Sequence, residues 1–237
     1  MEITKINEFV KKYNLSGLIE SVKWESDGSN LKTSFISDDK TMLGTVVTPK
    51  FIFESGEYGI YDTSKLKKML SVLGDDVDLS VNKHDGKATA LNIEDNTSSI
   101  TYMLADLSVI PAVPNLKQLP EFNVDISLDS TFVSKFIGAT AALSNQNTFT
   151  FECVGGNGSV IVGHSNINTN RISISVDCKC DSDVKPISFS AEFLKEILNS
   201  NMDANVAKLK ISTQGLAHLH FEFDAYTSDY YLVEIQK

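Results

Sequence analysis

The order of apolar periodicities in the first half of the chain recurs in the second, so whatever this sequence folds into has to be buildable twice. Residues 3–13 carry Ile6, Phe9, Val10 and Tyr13, and residues 62–73 carry Leu66, Met69, Leu70 and Leu73. Both sets follow the spacing that lines apolar side chains along one face of a helix. The second half repeats the pair, with Phe132, Val133, Phe136 and Ile137 in 130–142, then Phe193, Leu194, Ile197 and Leu198 in 190–200. Asp62, Thr63 or Ser64 can cap the second helix and Gly74 can end it; Asp129 or Ser130 can cap the third, and Ser190 the fourth.

Strands fill the intervals. In the first half they are expected at 31–36 and 44–47, then at 77–81, 88–94 and 98–104. In the second half they are expected at 148–151, 159–162 and 171–176, then at 207–212, 217–223 and 229–235. Arg171 to Val176 alternates strictly, as a half-buried strand does. Asp85-Gly86, Asp95-Asn96 and Gln214-Gly215 supply hairpin turns. The halves match most closely where Tyr61 to Leu70 lies beside Phe189 to Leu198, and Ile100 to Leu104 beside Tyr230 to Glu234.

Between the halves, residues 109–120 contain Pro111, Pro114 and Pro120, which forbid a helix interior and disfavour a central strand. The segment reads as an extended connector between an N-terminal domain, 1–108, and a C-terminal domain, 121–237. Its Ile110, Val113, Leu116 and Leu119 are unusual in a free linker and suggest that it lies on a surface or helps to make one.

The formal charge of −10 argues against a protein coated in positive charge, but contact with nucleic acid depends on where the cations sit. Arg171 is the single arginine beside 20 lysines. Lysine is a compact point charge suited to phosphate, whereas arginine is the usual reader of guanine. The four helical segments hold eight lysines and five acids, a net of +3, which leaves −13 for the rest.

Catalytic and metal signatures are weak. Gly155-Gly156-Asn157-Gly158 lacks the Lys-Ser/Thr of a phosphate loop and reads as a hairpin turn. No nucleophile elbow occurs, and Asp38-Asp39, Asp75-Asp76 and Asp181 with Asp183 fall at expected turns. Cys178-x-Cys180 has no second Cys/His pair at finger spacing, so Cys153, Cys178 and Cys180 read as small strand residues. His218-x-His220 would place two imidazoles on one strand face, but no acidic or cysteine partner sits at a persuasive spacing. No catalytic residue, metal or cofactor is therefore assigned. No run reaches the length needed to span a bilayer, and the N-terminus has no signal-peptide pattern.

Two copies of helix–strands–helix–strands joined by an apolar connector resemble the DNA sliding clamp family. The local likeness is to the phage T4-type polymerase clamp, through Ile60-Tyr61-Asp62 with Leu66, Leu70 to Leu73 and Asp75-Asp76. Ser228 to Val233 is similar to the aromatic-rich last strand of phage and eukaryotic-type clamps. The resemblance implies an α+β chain of two tandem processivity-fold domains, three copies closing head to tail into a ring. Helices would line the hole and antiparallel sheets would form the outside.

It further implies a non-enzymatic processivity factor that encircles duplex DNA without reading sequence and tethers a DNA polymerase. An ATP-dependent clamp loader would place it there, in the cytoplasm of an infected bacterial host. Lys5, Lys11, Lys12, Lys65, Lys67, Lys68, Lys135 and Lys195 would face DNA. Met42, Leu43, Ile110, Val113, Leu116, Tyr230, Tyr231, Leu232 and Ile235 would form the partner groove. The subunit boundary would join a strand near 98–105, with Ile100, Tyr102 and Leu104, to one near 171–180, with Ile172, Ile174 and Val176. The alternative is a duplicated β-rich structural ring protein of a virion, which would share the repeat but not the basic helix layer.

Overall fold

A computed structural model describes residues 1–116, 118–165, 167, 169–180 and 182–235. Lys117 of the connector and Asp181 of the acidic pair lie outside the described residues. The chain divides into two compact units. One comprises 1–38, 43–114 and 224–228; the other comprises 39–42, 115–223 and 229–237.

The first unit is built on α1 (Ile3–Asn14), β1 (Val22–Ser26), β2 (Asn30–Ile36), β3 (Met42–Pro49), β4 (Gly56–Ile60), α2 (Thr63–Leu70), β5 (Asp78–His84), β6 (Lys87–Glu94) and β7 (Ser99–Met103). The second is built on β8 (Val124–Ser127), α3 (Ser130–Ala142), β9 (Thr148–Val154), β10 (Asn157–Val162), β11 (Ile172–Val176), β12 (Cys178–Cys180), β13 (Val184–Ser190), α4 (Ala191–Ser200), β14 (Val206–Ser212), β15 (Leu216–Glu222) and β16 (Thr227–Val233).

The duplication is visible in strand order. The first unit runs β4-β1-β2-β3 and the second β13-β9-β10-β11. In each, the strand after the first helix is flanked by its own hairpin partner and by the strand that leads into the second helix, all antiparallel. The meander after the second helix is β5-β6-β7 in one unit and β14-β15-β16 in the other. β8 adds to β14 in the second unit. Its counterpart in the first unit is a remnant, in which Ile3 N–H donates to Asp75 O and Val77 N–H donates to Met1 O, each at 2.8 Å.

Local chemistry explains the element ends. Asp62, Asp129 and Ser190 accept from the backbone N–H groups of Lys65, Phe132 and Phe193, so α2, α3 and α4 have side-chain caps. α2 stops at Leu70, three residues short of the periodic pattern. Ser71 Oγ donates back to Lys68 O, and the Asp95 carboxylate takes the Gly74 N–H. The β5–β6 turn holds Asp85 and Gly86 at positive φ, and the β9–β10 turn does the same with Gly155 and Gly156, as two-residue hairpins require. Five strands, β1, β4, β8, β12 and β13, are absent from the periodicity. β4 carries Gly56 and Gly59, β12 has three residues, and β13 contains Pro186 at a register shift.

Each unit has an aromatic core under its helix pair. In the first, Phe9 packs edge-on against Tyr13 and Trp24, and Trp24 Nε1–H donates to Tyr13 Oη at 3.2 Å. In the second, Phe136 packs edge-on against Phe149, which contacts Phe189. Each such ring contributes roughly 1.5–3 kcal/mol through burial. No helix among the described residues is long and apolar enough to cross a membrane.

Candidate functional surfaces

The helix lysines do not form a uniform set. Lys5 and Lys11 on α1, Lys65, Lys67 and Lys68 on α2, and Lys135 on α3 are exposed. Lys67 Nζ also donates to Asn14 Oδ1 at 3.2 Å. Lys195 on α4 is half-buried and paired with Glu196 at 2.9 Å. Lys12 departs from the expectation, because its side chain is 0% exposed. Its ammonium lies 3.5 Å from Glu8 Oε2 and 4.9 Å from the centroid of Tyr226, which joins this unit from far along the chain. A buried ammonium with an acid and an aromatic face for neighbours is a structural cation and has no surface for a phosphate.

The two expected boundary strands are both sheet edges. β7 pairs with β6, and β11 pairs with β10, and each ends its sheet among the described residues. Their apolar residues divide. Tyr102 and Ile174 belong to the cores of their own units. The Tyr102 hydroxyl accepts from Asp62 N–H and donates to Asp62 O, each at 3.1 Å, and burial raises its pKa. Ile100, Leu104, Ile172 and Val176 are half-buried, and Met103, which no periodicity singles out, is 68% exposed on the β7 edge.

The expected partner groove is likewise split. Met42, Tyr230 and Leu232 are 0% exposed and cannot meet a docking segment. They are inward residues of alternating strands, and the Tyr230 hydroxyl accepts from Asn201 Nδ2 at 3.0 Å. Leu43, Ile110, Val113, Tyr231 and Ile235 are half-buried, and Leu116 is exposed. Within the first unit, a cleft of about 600 Å³ is walled by Leu18, Ile36, Tyr61, Val109 and Pro111, with Glu20, Asp38 and Asp62 at its polar margin. Tyr61 is 60% and Val109 56% exposed, a signal that residue type alone does not carry.

Among the described residues, two clusters of metal-ligating side chains form in the second unit. The sulfurs of Cys153, Cys178 and Cys180 gather with Cys178 Sγ 3.2 Å from Cys180 Sγ. Burial raises the Cys178 and Cys180 pKa values, which disfavours the thiolate form of these two. His218 and His220 meet Asp229, the acidic partner that sequence spacing does not reveal.

The repeated helix-paired units, each with antiparallel sheets, make a duplicated α+β fold. Among solved structures, the chain is similar to the proliferating cellular nuclear antigen from Entamoeba histolytica, with a TM-score of 0.74 and 18% sequence identity over 99% of this chain and 96% of that chain. At that identity the likeness shows the fold. No family model matches the chain, and no curated protein matches it.

Proposed function

We propose that the chain is one subunit of a ring-shaped DNA sliding clamp of the phage T4 type, a processivity factor with no catalysis of its own. The observation that carries this reading is the edge position of both β7 and β11 in a chain with the clamp fold. Each is a row of backbone donors and acceptors that a second copy can complete. Pairing β7 of one copy with β11 of the next gives a head-to-tail contact, and three copies of the domain pair 1–108 and 121–237, joined by 109–120, would close the ring.

The exposed Lys5, Lys11, Lys65, Lys67, Lys68 and Lys135, with Lys195, would then meet phosphates on the inner face. Phosphate contacts position without reading sequence, and their salt-sensitivity suits a ring that must slide. The polymerase would dock on the accessible part of the groove, Leu43, Ile110, Val113, Leu116, Tyr231 and Ile235. Opening and loading onto primed DNA would be the work of an ATP-driven clamp loader in the infected bacterial cytoplasm.

The test is product length in primer extension with the cognate polymerase, loader and ATP, with and without this protein. Long products that need all components are the expected result. Unchanged product length, with the protein folded and the loader active, would overturn the reading in favour of a structural ring.

A further inference from the structure

We propose that His218, His220 and Asp229 form a binding site for a divalent transition-metal ion of the zinc class. His218 and His220 stand two apart on β15 and so share a face; Asp229 comes from β16, the next strand of the meander. A single oxygen, Asp229 Oδ1, lies 2.8 Å from His218 Nε2 and 2.7 Å from His220 Nδ1. One ligand atom from each of the three residues lies within 4.8 Å of the other two.

The outer contacts orient these donors. His220 Nε2 lies 2.9 Å from Glu222 Oε1. In the neutral ring with Nε2–H donating to Glu222, His220 Nδ1 carries a lone pair, and that lone pair faces the Asp229 oxygen at 2.7 Å. A proton on Nδ1, as in an imidazolium held between the two carboxylates, or a metal ion in its place, satisfies this contact, so binding of the ion would displace that proton. A carboxylate holding the far nitrogen of an imidazole is the arrangement that fixes the tautomer of metal-ligating histidines. The His218 ring is held by Tyr231, stacked at 4.5 Å and 7°, and by Phe122 at 5.8 Å.

Two imidazole nitrogens and one carboxylate oxygen are borderline ligands, suited to zinc, cobalt, nickel or copper rather than to calcium or magnesium. Donors around a tetrahedral zinc stand roughly 3.3 Å apart at bond lengths of about 2.0–2.1 Å. The observed pairs therefore need to open by only about half an ångström. The residues are half-buried, so the cluster is not sealed from solvent. Lys208 and Lys210, cross-strand from His220 and His218, share this face, and the charges of Asp229 and Glu222 offset theirs.

The experiment is a Co²⁺ titration of the chelator-stripped full chain, followed by visible absorption, with Zn²⁺ as competitor. The expected result is one ion per chain, with ligand-field bands but no sulfur-to-cobalt charge-transfer band. His218→Ala and Asp229→Asn should each weaken binding by about tenfold or more. Cys178→Ser with Cys180→Ser should change nothing. Ring-proton resonances of two histidines in the wild-type chain should shift with Co²⁺, a readout that needs no variant. Absence of uptake, a thiolate charge-transfer band, or equal uptake by folded His218→Ala and Asp229→Asn chains would each overturn the assignment.

Discussion

The ammonium of Lys12 lies 4.9 Å from the ring centroid of Tyr226, with no exposed side-chain surface of its own. Glu8, 3.5 Å away, is its acidic neighbour. Lys12→Glu would place two carboxylates together in a buried site and should lower stability by about 3 kcal/mol or more. Lys11→Glu, one residue away and exposed, should fall within about 0.5 kcal/mol of the wild type. Urea unfolding of the two variants checks this.

Asp95 follows β6, and its carboxylate accepts from the backbone N–H groups of Gly74, Thr97 and Ser98. These donors, Gly74 foremost, hold its pKa down to about 2. A depressed folded pKa contributes stability that is fully present above the ordinary carboxylate value of about 4. That contribution is lost as the pH falls through about 2. Asp95→Asn should therefore melt at a lower temperature than wild type at neutral pH, with the difference fading between those two pH values. A series of melting curves across pH tests the sign.

Gly59 leaves no room for a side chain, because a Cβ there would sit 2.5 Å from Ala105 O. Ala105 N–H donates to Gly59 O at 2.9 Å and so anchors the segment just beyond β7. Gly59→Ala should displace that segment, cost about 1–3 kcal/mol, and weaken association through the β7 edge. Sedimentation at several concentrations is the check, with Met103→Asp as the companion that charges the edge without crowding it. If both variants assemble as the wild type does, the β7 edge is not the boundary.

Lys65, Lys67 and Lys68 are exposed on one short helix. Changing all three to Glu should shorten primer-extension products. It should also lower the salt dependence of DNA retention by about 0.9 in log–log slope for each phosphate no longer neutralised. Sedimentation of the same variant should show assembly intact.

The helices are legible in the sequence because both their apolar faces and their caps are local. Phe136 and Leu198 fall inward at the spacing that the sequence shows, and Asp129 and Ser190 cap where they stand. The periodicity of α2 overruns its end because Asp95, from beyond two strands, takes the Gly74 N–H. β13 is invisible to the pattern because Pro186 interrupts it, and a register shift accommodates the break. The candidate surfaces are less legible. Lysine on a helix usually means solvent, and the Lys12 ammonium lies instead beside Tyr226, which arrives from the other end of the sequence. Met42, Tyr230 and Leu232 are apolar whether they face a core or a partner, so only the fold distinguishes the two. Asp229 joins His218 and His220 through strand pairing, which no fixed sequence spacing announces.

β7 and β11 are unlike edges on one chain, so assembly through them has a direction. A copy crippled at β11 alone could still offer β7 to a wild-type neighbour, yet could accept nothing in turn. Mixed with wild type, such a copy would act as a terminator: it would occupy growing arcs and keep them from closing. If three copies close the proposed ring, its dominance should rise steeply with its share of the mixture, since each ring would have to exclude it three times over.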